Sequence, residues 1–99
     1  MKDYSKMSDF EINKAVSTAL GMDVSGATEE NNMMYGYVPD ICNNPSDAMP
    51  ILIENRISLT WVNSECRASS VKAGYHEFSC GNALRAAMIV YLMMKDEEK

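Results

Sequence analysis

The stretch from Ala86 to Met94, AAMIVYLMM, is nine residues without a charge, and it constrains the fold more than any other segment. A membrane-spanning helix needs roughly 20 apolar residues, so this run is too short to cross a bilayer. It opens behind Asn82, a good helix N-cap, and runs out into KDEEK, which ends it in water. Leu84, Ala87, Met88, Tyr91 and Leu92 recur at helical spacing and make one stripe. Ala86, Ile89, Val90 and Met93 make the rest of the helix apolar as well. Such a helix must be covered on two sides. The cover is either the rest of the chain or a second copy, so the expected states are monomer or homodimer.

Two further helices carry local start signals. In MSDFEINKAVSTALG, Ser8 and Glu11 have the spacing of a capping box, with Met7 and Ile12 at the staple positions. Ile12, Ala15, Val16, Ala19 and Leu20 form its apolar stripe, and Gly21 suits the residue after the helix, where a positive φ carries no Cβ strain. The expected helix is Asp9 to Leu20. In CNNPSDAMPILIENR, Asn44 suits the N-cap and Pro45 the first helical position. Asp47 favours the positive end of the helix dipole. Pro50 conflicts with a helix interior, because it lacks an N–H and clashes with the preceding turn. The spacing therefore implies a start at Asp47 or a kink, an end near Asn55, and burial of Ala48, Ile51 and Leu52.

The remaining segments read as strands and loops. ISLTWVN alternates, with Ile57, Leu59 and Trp61 on one face. VKAGYHEFS has strand character at Val71, Tyr75 and Phe78, with Gly74 marking a bulge or weak point. These two runs are expected to pair as antiparallel neighbours, with SECRASS between them as a turn. DVSGATEENN is loop-like, and MMYGYV is expected to form a short strand ended by Pro39. The chain of 99 residues suits one domain spanning residues 1–99. The fold class expected is α+β, a sandwich-like packing of an antiparallel sheet of three to four strands against three helices.

Charge excludes some functions. The formal charge is −5, and the Lys and Arg residues are scattered. Direct nucleic-acid binding is disfavoured, because its affinity comes mostly from cations that neutralise phosphates. Cys42, Cys66 and Cys80 are odd in number and widely spaced, a poor disulfide framework. The N-terminal residues have no apolar h-region of a secretory signal. Reduced thiols in a cytoplasm are the simplest reading.

No catalytic constellation stands out. His76 and Cys80 have the spacing of a zinc half-site, but there is no CxxC pair to complete it. Cys80, just before the last helix, is the best candidate nucleophile, with His76 as its base. Glu29, Glu30, Glu97 and Glu98 lie in polar runs, while Asp40, Asp47 and Glu54 flank or cap a helix. No glycine-rich phosphate loop is present. The reading assigns no catalytic residue, no metal and no cofactor. Met88, Met93 and Met94 suit core packing or an adaptable recognition surface.

Three blocks, DYSKMSDFEINKAV, CNNPSDAMPILIENRISL and NALRAAMIVYLMM, together resemble the NinX-type family of small proteins from lambdoid phages and prophages of enteric bacteria. Family members usually carry an aromatic where this chain has Met49 and a proline where it has Ala83; both changes are conservative for packing. The segments 22–40 and 64–79 carry no such likeness. The resemblance implies a phage accessory protein in the host bacterial cytoplasm and brings no established activity. The function expected is a non-enzymatic modulator that binds a host or phage protein through a surface joining Asn43, Asn44, Arg56, Trp61 and Arg85. Two alternatives stand beside it: a small thiol- or metal-dependent enzyme or ligand binder using Cys80 and His76, and an acidic mimic that occupies a nucleic-acid-binding protein.

Overall fold

Ser8 begins the first helix as its spacing implies. Its hydroxyl accepts from the Glu11 backbone N–H, and the Glu11 carboxylate accepts from the Ser8 N–H. The computed structural model describes residues 3–72 and 74–97; Ala73 of the expected third strand and the final Glu98 and Lys99 lie outside them. In chain order the elements are α1 (Asp9–Ala19), α2 (Glu29–Tyr35), α3 (Pro45–Glu54), β1 (Ser58–Val62), β2 (Glu65–Ser70), β3 (His76–Cys80) and α4 (Ala83–Glu97), with a 3-10 turn at Tyr4–Lys6 ahead of them. The fold is α+β. Among the described residues it has four α-helices rather than three, and an antiparallel sheet of three strands.

The extra helix is α2, where the expected strand MMYGYV was to lie. Local capping decides the outcome. Thr28 and Asn31 form a reciprocal box at its start, and Gly36 ends it in the left-handed region at φ 66°. The alternation of Met33, Tyr35 and Tyr37 is therefore not a strand face. None of α2's residues is buried. The loops around it close a small satellite core of Val24, Ala27 and Val38 against Phe10, and Lys14 Nζ donates to the Ala27 carbonyl at 2.7 Å.

The sheet order is β1-β2-β3. The two runs expected to be neighbours are thus the outer strands, and SECRASS supplies the central one. Only residues 63–64 turn, with Asn63 at φ 58°, as a tight two-residue hairpin requires. The segment hides its strand character because its inward residues are small. Cys66, Ala68 and Ser70 are buried, while Glu65 and Arg67 face solvent. Small inward side chains let α4 lie close, and its own Ala86 and Ala87 are fully buried too. Ser58 pairs with Ser69, Leu59 with Ala68 and Trp61 with Cys66; across the next ladder Cys66 pairs with Cys80, Ala68 with Phe78 and Ser70 with His76.

α3 runs continuously from Pro45 through Pro50 to Glu54, and buries Ala48, Ile51 and Leu52. The helix keeps its early start although Pro50 lies inside it. The carbonyl that Pro50 crowds and leaves without a donor is that of Ser46, in the first turn. α4 is sandwiched between the sheet on one side and α1 and α3 on the other. Met88, Ile89 and Val90 are fully buried and Met93 packs against the same core, so a single chain covers both faces of this helix. Each large apolar side chain removed from water contributes roughly 1.5–3 kcal/mol, and α4 supplies more buried residues than any other element.

Candidate functional site

A polar clamp joins the N-terminal ends of α1 and α4 to the loop before α3. Arg85 on α4 donates from Nη1 to the Asp9 carboxylate at 2.7 Å and from Nη2 to the Met7 carbonyl. Asn43 Nδ2 donates to Asp9 Oδ2 at 3.2 Å and to Asp40 Oδ1 at 3.0 Å. Asn82 Nδ2 donates to Asn43 Oδ1 at 3.0 Å, while its own Oδ1 accepts from the Leu84 and Arg85 backbone N–H groups at 3.0 and 3.1 Å. Buried Asn13 completes the clamp. It donates to Asp40 at 3.0 Å and accepts from the Cys42 N–H at 2.9 Å.

This arrangement accounts for two of the five residues expected to form one binding surface. Arg85 has a side chain only 16% exposed, and both its guanidinium and the Asn43 amide are engaged within the chain. Asn44 caps α3, accepting from the Ser46 N–H at 3.0 Å. Arg56 and Trp61 lie elsewhere, Arg56 between α3 and β1 and Trp61 on β1 itself. Sequence reasoning did not single out Asp9, Asn13 or Asn82 as partners of Asn43 and Arg85. The signal was present, since all of these residues stand in the blocks that carry the family resemblance.

Cys66 and Cys80 face each other across the β2–β3 ladder, and Cys42 lies in the loop before α3. Burial, reinforced by the charge of Asp9 and opposed by Arg85, pushes the Cys42 thiol up to about 12. Burial also raises Cys66. Cys80 is partly exposed and donates to the Asn82 carbonyl at 3.2 Å. His76 and Cys80 occupy opposite ends of β3, about 13 Å apart at the usual rise per residue. That separation keeps the pair from acting as nucleophile and base or as a metal half-site. Among the described residues no group of three or more His, Cys, Asp or Glu side chains is placed to hold a metal.

Arg56 and Trp61 border a second region. Arg56 takes the left-handed region at φ 54° directly after α3. A shallow pocket of about 400 Å³ runs between α3 and β1, lined by Met49, Leu52, Ile53, Arg56, Ile57, Ser58 and Leu59. Trp61 continues the face of Leu59 two residues on, and is 64% exposed beside Val62. Ile53 on α3 is 72% exposed. β1 is an edge strand, so its outward N–H and C=O groups are not in the sheet's ladders. Single exposed apolar residues are ordinary, but contiguous ones beside an open strand edge mark contact surfaces.

Two other surface features lie apart from this region. A groove of about 790 Å³ lies between α1 and the C-terminal half of α4, with Phe10, Ala15 and Leu92 among its apolar walls and Lys14, Glu11, Lys95 and Asp96 on its rim. Tyr4 donates to Asp96 at one end of it. The outer side of α2 displays Met33, Met34 and Tyr35, with the Tyr37 ring 5.6 Å from that of Tyr35. Met33 and Met34 are the most exposed methionines among the described residues; Met88 and Met94 belong to the core.

The clamp, the three-stranded sheet and the covered α4 come from segments distributed over the whole chain, and the family match has the same extent. Residues 3–95 match the family described as bacteriophage P22 NinX, and the chain belongs to that family. The match includes the segments 22–40 and 64–79, in which the sequence alone showed no likeness. The protein is therefore a phage accessory protein. No curated protein and no solved structure matched the chain. No helix among the described residues is long and apolar enough to cross a membrane.

Proposed function

We propose that the protein is a non-enzymatic accessory factor that binds a host or phage protein in the bacterial cytoplasm, using the open edge of β1 with Arg56 and Trp61 as its contact surface. The observation that carries this reading is the juxtaposition of the outer edge of β1, which carries no further strand among the described residues, with an apolar shelf of Met49, Ile53, Leu59 and Trp61. An extended segment of the partner would add to β1 through main-chain hydrogen bonds, and its alternate side chains would meet the shelf. Trp61 supplies the large, rigid anchor that dominates such contacts, and Arg56 a planar cation beside it. Asn43, Asn44 and Arg85, the other residues of the expected surface, serve this reading as scaffold, because they fix the ends of α1, α3 and α4 that support the sheet.

The test is comparative purification from infected cells with wild type, Trp61→Ala and Ile53→Asp, each first shown to be folded. Proteins retained by wild type and lost by both variants support the reading. An identical set retained by all three contradicts it.

A further inference from the structure

Cys66 and Cys80 are direct partners across the β2–β3 ladder. Directly opposed residues project to the same face of an antiparallel sheet with Cα atoms about 4.5–5.5 Å apart, inside the range of about 4.4–6.8 Å spanned by disulfides. Their Cβ atoms, about 4.5–5.5 Å apart in such pairs, need to close by up to roughly 1 Å. β3 is an edge strand, and among the described residues no further strand pairs with its outer side to resist that movement. Both thiols are free. Their accessibilities differ in the sense that exchange requires: Cys80 is partly exposed, while Cys66 is fully buried behind it.

We infer that Cys80 is a site of thiol–disulfide exchange with small disulfides of the glutathione type, and that Cys66 is its resolving thiol. The Cys80 thiol loses its proton to solvent, and its sulfur attacks one sulfur of oxidised glutathione. The Cys80–glutathione bond forms as the glutathione S–S bond breaks, and one glutathione thiolate leaves. Cys66 then loses its proton and attacks the Cys80 sulfur. The mixed disulfide breaks, the Cys66–Cys80 bond forms, and a second glutathione thiolate leaves. The two departing thiolates take up the two protons. The protein dithiol is oxidised, and one oxidised glutathione becomes two reduced ones. Cys42 stays out of the exchange, since it is fully buried and its N–H and neighbours are locked into the clamp.

The structure also holds a reporter. Trp61 is the partner of Cys66 on the other ladder, so Trp61, Cys66 and Cys80 form one row across the three strands, and Trp61 is the only tryptophan.

The test is incubation of the full chain in glutathione buffers of graded redox ratio, with thiol counting, peptide mapping and tryptophan fluorescence. The expected result is loss of two of the three thiols, a peptide cross-link joining Cys66 to Cys80, quenching of Trp61 fluorescence and unchanged far-ultraviolet dichroism. Cys66→Ser should instead accumulate a stable glutathione adduct on Cys80, and Cys80→Ser should form neither product. A cross-link to Cys42, an unresolved adduct on wild-type Cys80, or three free thiols throughout would each overturn the inference. The wild-type map decides alone should a variant fail to fold.

Discussion

The guanidinium of Arg85 at the start of α4 sits 2.7 Å from the carboxylate of Asp9 in the first turn of α1, across 76 positions of sequence. Asp9 is thereby held near two helix N-termini, where a negative charge is favoured, and Arg85 keeps the pair neutral. Asp9 is partly exposed, so the bond is screened relative to a buried one. Removal of the arginine also leaves the Met7 carbonyl without its donor. Arg85→Ala should destabilise the fold by about 2 kcal/mol, and Asp9→Asn by less. Urea denaturation of both variants and the double mutant would measure a coupling of roughly 1 kcal/mol.

Asn82 has two duties, capping α4 and bridging to Asn43. Asn82→Ala should cost about 1–2 kcal/mol by denaturant midpoint, as lost N-caps do. Asn82→Asp should keep the cap and lose only the bridge, so its cost should be the smaller of the two.

Ser17 is fully buried in α1, and its hydroxyl is the buried side-chain polar atom left without a hydrogen-bond partner among the described residues. An unsatisfied buried hydroxyl is unfavourable, and alanine is the better helix former. Ser17→Ala should raise stability by about 1 kcal/mol in thermal or urea unfolding.

Alkaline pH should weaken the fold. Folding raises the Cys42 thiol from its ordinary 9.0 to about 12 through burial, and it raises Cys66 and Tyr4 as well, again chiefly through burial. Above about pH 9 for the thiols and about pH 10 for Tyr4 the unfolded chain gives up these protons while the native chain retains them, so the unfolded state binds fewer protons and stability falls with pH. Each such thiol adds about 1.4 kcal/mol per pH unit to that fall between its two values. Below pH 9 these groups contribute their full stabilisation. Cys42→Ala should reduce the slope between pH 9 and pH 11 in urea titrations, whatever its effect on stability at neutral pH.

The parts of this fold legible in the sequence are those written in local chemistry. Ser8 with Glu11, Asn44 with Pro45, and Asn82 each begin a helix, and the apolar stripes chose the buried sides of α1, α3 and α4. β2 was hidden because Cys66, Ala68 and Ser70 are selected for smallness under α4, a tertiary demand that leaves no β-branched signature. α2 was hidden because Met33, Tyr35 and Tyr37 alternate with Met34, Gly36 and Val38 as a strand would, while Thr28, Asn31 and Gly36 cap a helix. The five-residue surface divided for a similar reason. Arg85 and Asn43 look like ordinary surface residues in one dimension, and only the fold brings Asp9 and Asn82 to them. Arg56 follows the end of α3 and Trp61 lies on the edge strand β1, and both are exposed.

Binding through the β1 edge is tested most directly by amide hydrogen exchange of the protein with and without the partner recovered from infected cells. The expected result is slowed exchange at outward-facing amides of Ser58–Val62, lost when Trp61 is replaced by alanine in a chain that remains folded. Protection confined to α2 or to the groove between α1 and α4, with β1 exchanging at its free rate, would contradict it.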